Sequence, residues 1–531
     1  MAKAKILAKC NYWRVRGFFM LLVHAVQSSA QFRHSMIATE DQGTARNWAE
    51  TADRVARIAD GLRAIGIRPG DRIGLLSLNS AAFLEAQLAI WWMGGVLVAM
   101  NYRWSLEEHL YSVDDAGLTL LFHDAEHREI AVQIAGQRPV AIVTLDGERI
   151  PEEASIAAMI ATRDAGPAHD GPNDALAGIY YTGGTTGFPK GVMLSHMALW
   201  AAAVGISGIV GMTEQSILLH AAPMFHLGDG ALSHAALIAG AKHVFIRRFD
   251  PEQAMQVIEQ TAVTITLLPP TMLAMVQQHR DYRPSRLASM RSLLFGASPM
   301  SPALLANIRA DLPSLSLIHA YGQTEMGPSI SSLDPAHQLP NGPKAMSIGR
   351  PMPGVQVRIV DSDGRDAVDG APGEILARSP AMMSGYWNKP DETAHTIVNG
   401  WIHTGDVAYR DCDGFMFICD RVKDMIITGG ENVFSAEVEN AVEAHPAVAQ
   451  VAVIGIPDPD YGERVHAVIV VRPQQSITIE ELIAHCRVRI ANYKCPRSME
   501  VRESLPLSAT GKVLKRDLRA PHWIGQDRGI A

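Results

Sequence analysis

The chain reads as an α/β protein with a large N-terminal domain of helix-covered β-sheets plus a β subdomain, followed by a small α+β C-terminal domain. Three observations predict this. Its 531 residues exceed the length at which a single core keeps growing, so at least two domains are expected. Up to about residue 320, helical and strand patterns alternate, which argues for parallel sheets covered by helices. Beyond Gly349 that texture gives way to short β-rich pieces separated by Asp-Gly turns, and after Arg421 a further compact unit begins.

The elements follow in order. Trp48, Val55, Ile58, Leu62 and Ile65 recur at helical spacing until Pro69-Gly70 stops them before the strand Arg72 to Leu76. Leu88 to Met100 and Ala198 to Met212 are apolar stretches shorter than the roughly 20 residues that span a bilayer, and both read as buried helices. Leu176 to Tyr181 is a strand, Thr264 to Leu268 is another, ended by Pro269-Pro270, and Leu293 to Phe295 runs into Gly296-Ala297-Ser298-Pro299. Val355 to Val360 and Glu374 to Ala377 form the β subdomain. The last unit combines the strand Met425 to Ile427, the helix Ala436 to Ala444, the strands Val448 to Ile456 and Val465 to Val471, and the helix Ile479 to Ile490. The expected boundaries are an extension of no evident role at 1–19, an N-terminal domain at 20–422 and a C-terminal domain at 423–531.

Composition excludes several classes. A net charge of -8 without a basic stripe removes the electrostatic footprint of nucleic-acid binding. Five scattered cysteines without a Cys-x-x-Cys pair indicate neither a disulfide framework nor a zinc site, and fit the reducing cytoplasm. Lys3, Lys5, Lys9, Arg14 and Arg16 precede a short apolar run, but that run contains His24 and lacks a convincing cleavage site, so export is not expected. No transmembrane segment is read, and a homodimer is left open.

The chemistry starts at Thr182-Gly183-Gly184-Thr185-Thr186-Gly187-Phe188-Pro189-Lys190-Gly191. Glycines allow a close backbone approach in which successive N-H groups face phosphate oxygens, while Thr185 and Thr186 add hydroxyl donors and Lys190 a point charge. The bland alternative is an ordinary Gly/Thr turn between strand and helix. It is not the common nucleotide loop, because Pro189 precedes the lysine and Gly191 follows it.

Four further segments accompany this loop: Tyr321-Gly322-Gln323-Thr324-Glu325, Gly400 to Asp406, Asp420 to Asp424, and Pro506 to Lys512. Together they resemble the adenylate-forming superfamily, in its acyl-CoA synthetase and fatty-acid-CoA ligase branch, over nearly the whole chain from about Leu21 to Arg519. The resemblance implies an enzyme that activates a carboxylic acid with ATP and Mg²⁺ through an acyl-adenylate and transfers the acyl group to CoA. The nearest alternative is an aryl-CoA ligase, and another is an adenylation enzyme loading a carrier protein.

The resemblance also implies roles. Thr182, Gly183, Gly184, Thr185, Thr186, Gly187 and Lys190 belong to the phosphate loop; Gly183 stands where many relatives carry serine. Glu325 would hold Mg²⁺ against the phosphates, since hard cations prefer carboxylate oxygen; alone it would be a solvated loop charge. Lys512 would bridge the carboxylate and α-phosphate. Asp406 and Arg421 would bind ribose. Gly296, Ala297, Ser298, Tyr321, Gly322 and Thr324 would frame the nucleotide, Tyr321 by stacking on adenine, though a core aromatic is the alternative. Lys423 matches the hinge about which the C-terminal domain turns between half-reactions, an exposed position where many relatives carry Asp. Gly429, Gly430 and Glu431 would line the pantetheine path; by themselves they form a hairpin turn. His226 and Gly230, in Pro223 to Ala231, match the segment that closes the acyl pocket, whose small residues leave it open. No acidic residue is seen where an amino-acid ammonium would bind.

Overall fold

The computed structural model describes residues 20–146, 154–182, 189–296, 298, 300–507 and 513–524. The extension 1–19, Gly183 to Gly187, Ala297 and Lys512 lie outside the described residues. The chain divides into two compact units, one of residues up to 356 together with 378–402, the other of 357–377 and 403 onward. This grouping places strands of the β subdomain with the C-terminal residues.

The larger unit holds two sheets. The nine-stranded sheet is ordered Arg350–Pro351, Ser331–Leu333, Ser316–Tyr321, Ser292–Gly296, Ile265–Leu267, Ile217–His220, Lys242–Phe245, Ile37–Asp41 and Thr44–Asn47. The eight-stranded sheet is ordered Gly385–Tyr386, Lys190–Ser195, Leu176–Thr182, Val96–Ala99, Arg72–Leu76, Leu120–His123, Ala141–Thr144 and Ala154–Ser155. Their centres are parallel; the outer pairs are antiparallel at both ends of the larger sheet and at the Gly385–Tyr386 end of the smaller, whose other end stays parallel, so both faces of each centre need cover. Helices Pro251–Thr261 and Pro302–Asp311 pack Met255, Ile258, Leu305 and Ile308 against Leu293, Phe295 and Leu317 on one face of the larger sheet. Helices His196–Val210 and Leu227–Ala239 cover the other face through Ala203, Ile206, Leu232 and Ala235.

Local chemistry sets the helix ends. Asn47 caps Trp48–Ala64 and exchanges hydrogen bonds with Glu50 in a capping box. Gly211 ends His196–Val210 in the left-handed region. The run Leu88 to Met100 departs from the expected single helix. Helix Ala81–Trp92 stops, Gly94 turns the chain at φ 87°, and Val96–Ala99 continues as a buried strand. A Cβ on Gly95 would lie 3.0 Å from the Met93 sulfur and 3.1 Å from Ile73, so the glycine pair makes room for the reversal.

In the smaller unit, Trp401–Arg410 pairs antiparallel with Met416–Arg421. A second sheet is ordered Glu431–Val433, Ile426–Thr428, Gly462–Val471 and Val448–Asp458, with Ser498–Val501 also pairing Gly462–Val471. Helices Ser435–Glu443 and Ile479–Arg487 bury Val438, Val442, Leu482 and Cys486 against Ile426, Val453 and Ile469. No helix among the described residues is long and apolar enough to cross a membrane.

Candidate functional site

In the larger unit the predicted residues gather at strand ends. Leu176–Thr182 and Lys190–Ser195 form an antiparallel pair in which Thr182 faces Lys190, which fixes both flanks of the glycine loop. Gly296 ends one parallel strand and Tyr321 the next, the side of an open α/β sheet where ligands characteristically bind. Sequence at these ends is sterically dictated. A Cβ on Gly296 would sit 2.4 Å from the Ala320 carbonyl oxygen, and one on Gly322 2.0 Å from that of Pro328. Ser298 and Tyr321 are half-buried.

Glu325 lies with Thr324 in the short 3₁₀ turn Thr324–Met326. Its carboxylate accepts a hydrogen bond from the Tyr386 hydroxyl, 2.8 Å away at Oε1, and its carbonyl accepts from the Met383 N-H at 2.8 Å. Tyr386 sits in the strand Gly385–Tyr386, paired to Val192. Burial, and then the Glu325 charge, raise its phenol pKa, so the hydroxyl stays a donor. The Lys190 ammonium lies 5.0 Å from the centre of the same ring, a cation–π distance. Tyr386 therefore touches both the expected magnesium carboxylate and the loop lysine. Sequence reading missed it; the only signal was an aromatic pair, Tyr386-Trp387, after Ser384-Gly385. Among the described residues no cation pairs with Glu325. One oxygen held by Tyr386 leaves the other free, which suits a hard cation completed by substrate phosphates.

Nearby, Tyr181 donates to Asp115 at 2.6 Å, and Asp115 also receives the Trp387 and Asn388 N-H groups through its carbonyl. These bonds fix the strand that precedes the glycine loop.

His226 is exposed and serves as N-cap of Leu227–Ala239, accepting from the Gly228 N-H at 3.1 Å. Gly230 is buried, yet a Cβ there would meet nothing closer than 3.5 Å. Asp229 between them is fully buried and contacts His220 Nδ1 at 2.6 Å, with His220 Nε2 2.9 Å from His243 Nδ1. One carboxylate oxygen is therefore engaged within the core, while Oδ1 is buried with no hydrogen-bond partner. Beside it Phe225 meets Tyr102 edge to face at 5.2 Å.

The smaller unit brings Asp406 and Arg421 directly opposite, with Arg421 Nε 3.0 Å from Asp406 Oδ1; the carboxylate is 8% exposed and the guanidinium 48%. Lys423 is half-buried rather than exposed. Burial, and then Arg421, lower its pKa, and its carbonyl accepts from Arg519 at 3.4 Å. Packing around Arg519 and Asp424 covers what sequence left open. Gly429 and Gly430, at φ 61° and 84°, form the two-residue turn between Thr428 and Glu431, where positive φ at both positions calls for glycine. Lys494 is clamped by both Glu437 oxygens at 2.7 and 2.8 Å. Leu507 and Val513 form a bridge on either side of the segment containing Lys512.

Residues 26–387 match the family model described as AMP-binding enzyme. The chain belongs to that family. Residues 437–512 match the C-terminal domain of AMP-binding enzymes. A feruloyl-CoA synthase of an Amycolatopsis species is 38% identical over 489 residues, 91% of this chain and 95% of that protein. The fatty acid–[acyl-carrier-protein] ligase ScoC of Streptomyces coeruleorubidus is 36% identical, over 96% of this chain and 98% of its own. The structure of o-succinylbenzoate CoA synthetase (MenE) from Bacillus subtilis with its acyl-adenylate intermediate superimposes with a TM-score of 0.82 at 29% identity, covering 93% of this chain and 97% of that one. This AMP-binding enzyme is an AMP-forming acid–thiol ligase working through an acyl-adenylate, with ATP and CoA as co-substrates and Mg²⁺ the usual ion.

Proposed function

We propose that the acid is apolar, lacks an amino group and is aromatic, of the phenylpropenoic type, and that CoA is the acceptor. The observation that carries this reading is the 38% identity to a feruloyl-CoA synthase over 91% of the chain. A medium- or long-chain fatty acid is the second reading, favoured by the motif wording and by the 36% match to ScoC, whose acceptor is a carrier protein.

The residues would share the work as follows. The carboxylate oxygen attacks the α-phosphorus and pyrophosphate leaves, so two anionic groups must be brought together. Lys190 and the loop Thr182 to Gly187 would neutralise the phosphates, and Lys512 the charge that develops in transfer. Glu325, oriented by Tyr386, would hold Mg²⁺, which when bound neutralises phosphate oxygens. Asp406 would accept from the ribose hydroxyls with Arg421 donating to the same sugar. Tyr321 would stack on adenine, with Gly296 to Ser298, Gly322 and Thr324 against the purine and phosphates. His226 and Gly230 would bound the acid. Lys423 would absorb the torsion between half-reactions, and Gly429 to Glu431 would pass the pantetheine. The reducing cytoplasm fits the cysteine pattern.

Acid-dependent pyrophosphate release, with and without CoA, across ferulate, benzoate, octanoate and palmitate tests the reading. CoA-dependent turnover highest on ferulate is expected. Preference for palmitate would transfer the assignment to the fatty-acid class, and a burst without CoA stimulation would point to a carrier protein.

A further inference from the structure

A cluster in the smaller unit has no part in either half-reaction. Strand Gly462–Val471 pairs in parallel with Ser498–Val501, His466 opposite Ser498 and Val468 opposite Glu500. Because side chains alternate, His466, Ser498 and Glu500 share one face. His466 is 5% exposed. Its Nδ1 lies 2.7 Å from Ser498 Oγ, while its Nε2 is buried with no hydrogen-bond partner. Glu500 turns Oε2 toward that nitrogen at 4.0 Å and gives Oε1 to Arg502 at 2.7 Å. His522, from the turn Ala520–His522, completes the group, its ring 5.2 Å from that of His466. One donor atom from each of the three lies within 4.8 Å of the others.

We propose that His466, Glu500 and His522 bind one transition-metal ion of the zinc type, separate from the magnesium that serves the nucleotide. Two imidazole nitrogens and one carboxylate suit a borderline cation and leave a fourth position for water. A lone buried imidazole nitrogen is costly unless something accepts its lone pair, and the metal does so. The supporting shell is in place. With Nε2 on the metal, Nδ1 would donate to Ser498 Oγ, which would fix the tautomer, and Arg502 holds the far carboxylate oxygen. Tetrahedral bonds of about 2.0–2.1 Å place ligand atoms roughly 3.4 Å apart, so the donors close by about an ångström, a movement the surface turn bearing His522 accommodates. The bond would staple the chain that follows Lys512, including helix Lys515–Arg519, to the central hairpin. Its effect is on the firmness of this unit.

The test titrates tag-free, metal-stripped full-length protein with Co²⁺ in excess Mg²⁺, reading visible absorption, followed by Zn²⁺ displacement and thermal unfolding. One Co²⁺ per chain, displaced by Zn²⁺, and a Tm raised by Zn²⁺ are expected. His522→Ala and Glu500→Gln, at half-exposed positions, should abolish both signals, and Ser498→Ala should weaken binding about 10- to 100-fold. Glu252→Gln, in the other His/carboxylate cluster of Glu252, His279 and Asp281, should change neither. No stoichiometric binding, or binding that survives His522→Ala, overturns the proposal.

Discussion

Replacing Tyr386 by phenylalanine isolates one atom. The substitution keeps the ring 5.0 Å from Lys190 and removes only the hydroxyl that donates to Glu325 at 2.8 Å. Hydrogen bonds to a charged group contribute about 1.5–3 kcal/mol. Glu325 is half-buried, which favours the low end, and about 1.4 kcal/mol is tenfold in an equilibrium constant. The Tyr386 bond orients the carboxylate before any chemistry, so the expected effect is a roughly tenfold rise in the KM for Mg·ATP with kcat little changed. Pyrophosphate release at saturating acid, with Mg·ATP varied and a thermal melt as control, measures it. In a Glu325→Gln background the Tyr386→Phe effect should shrink, because the two act as a pair. An unchanged KM for Mg·ATP, or a loss confined to kcat, would refute the reasoning.

Other outcomes follow from single features. Lys512→Ala should abolish acyl-adenylate formation while preformed acyl-adenylate is still converted to thioester; equal loss in both assays would contradict its assigned role. Gly322→Ala places a Cβ 2.0 Å from a backbone oxygen and should cost about 1–3 kcal/mol, seen as a lower Tm and weaker ATP use. Gly230→Ala finds ordinary contact space and should leave Tm unchanged while shifting the order of preferred acids; an unaltered order would remove Gly230 from the pocket. Burial pushes His109, His196, His319 and His466 down to about 4 and His234 to about 3. The unfolded chain, with imidazoles near 6.5, binds more protons between those values. Stability should therefore be level above about pH 6.5 and fall as pH drops through 6 toward 4; a Tm constant from pH 7 to 5 would contradict this.

Much of this architecture was legible because local signals agreed with the tertiary outcome. Trp48 to Ile65 carried both period and cap, and Ser292–Gly296 was a short apolar run stopped by glycine. Leu88 to Met100 was misread because its apolar residues have no period to separate helix from strand, and the Gly94-Gly95 pair, the one turn signal inside it, was passed over. The motif residues of the site could be found in order, but their partners could not. Tyr386 lies 61 residues from Glu325, and the contact of Asp229 with His220 is made only in the folded core. The half-burial of Lys423 depends on Arg519 and Asp424, and only folding brings Arg519 near. His466, Glu500 and His522 are likewise spread along the chain without any motif.

The Glu325–Tyr386 bond joins a loop following the nine-stranded sheet to an edge strand of the eight-stranded one, and the Pro223 to Ala231 connection is tied across the same two sheets, the Met224 N-H donating to Asn79 at 2.8 Å and Phe225 resting on Tyr102. With the roles proposed above, acid choice and nucleotide handling would therefore share one mechanical seam. A designer who exchanged the Pro223 to Ala231 connection for that of another ligase would have to retune its fit to Asn79 and Tyr102 as well.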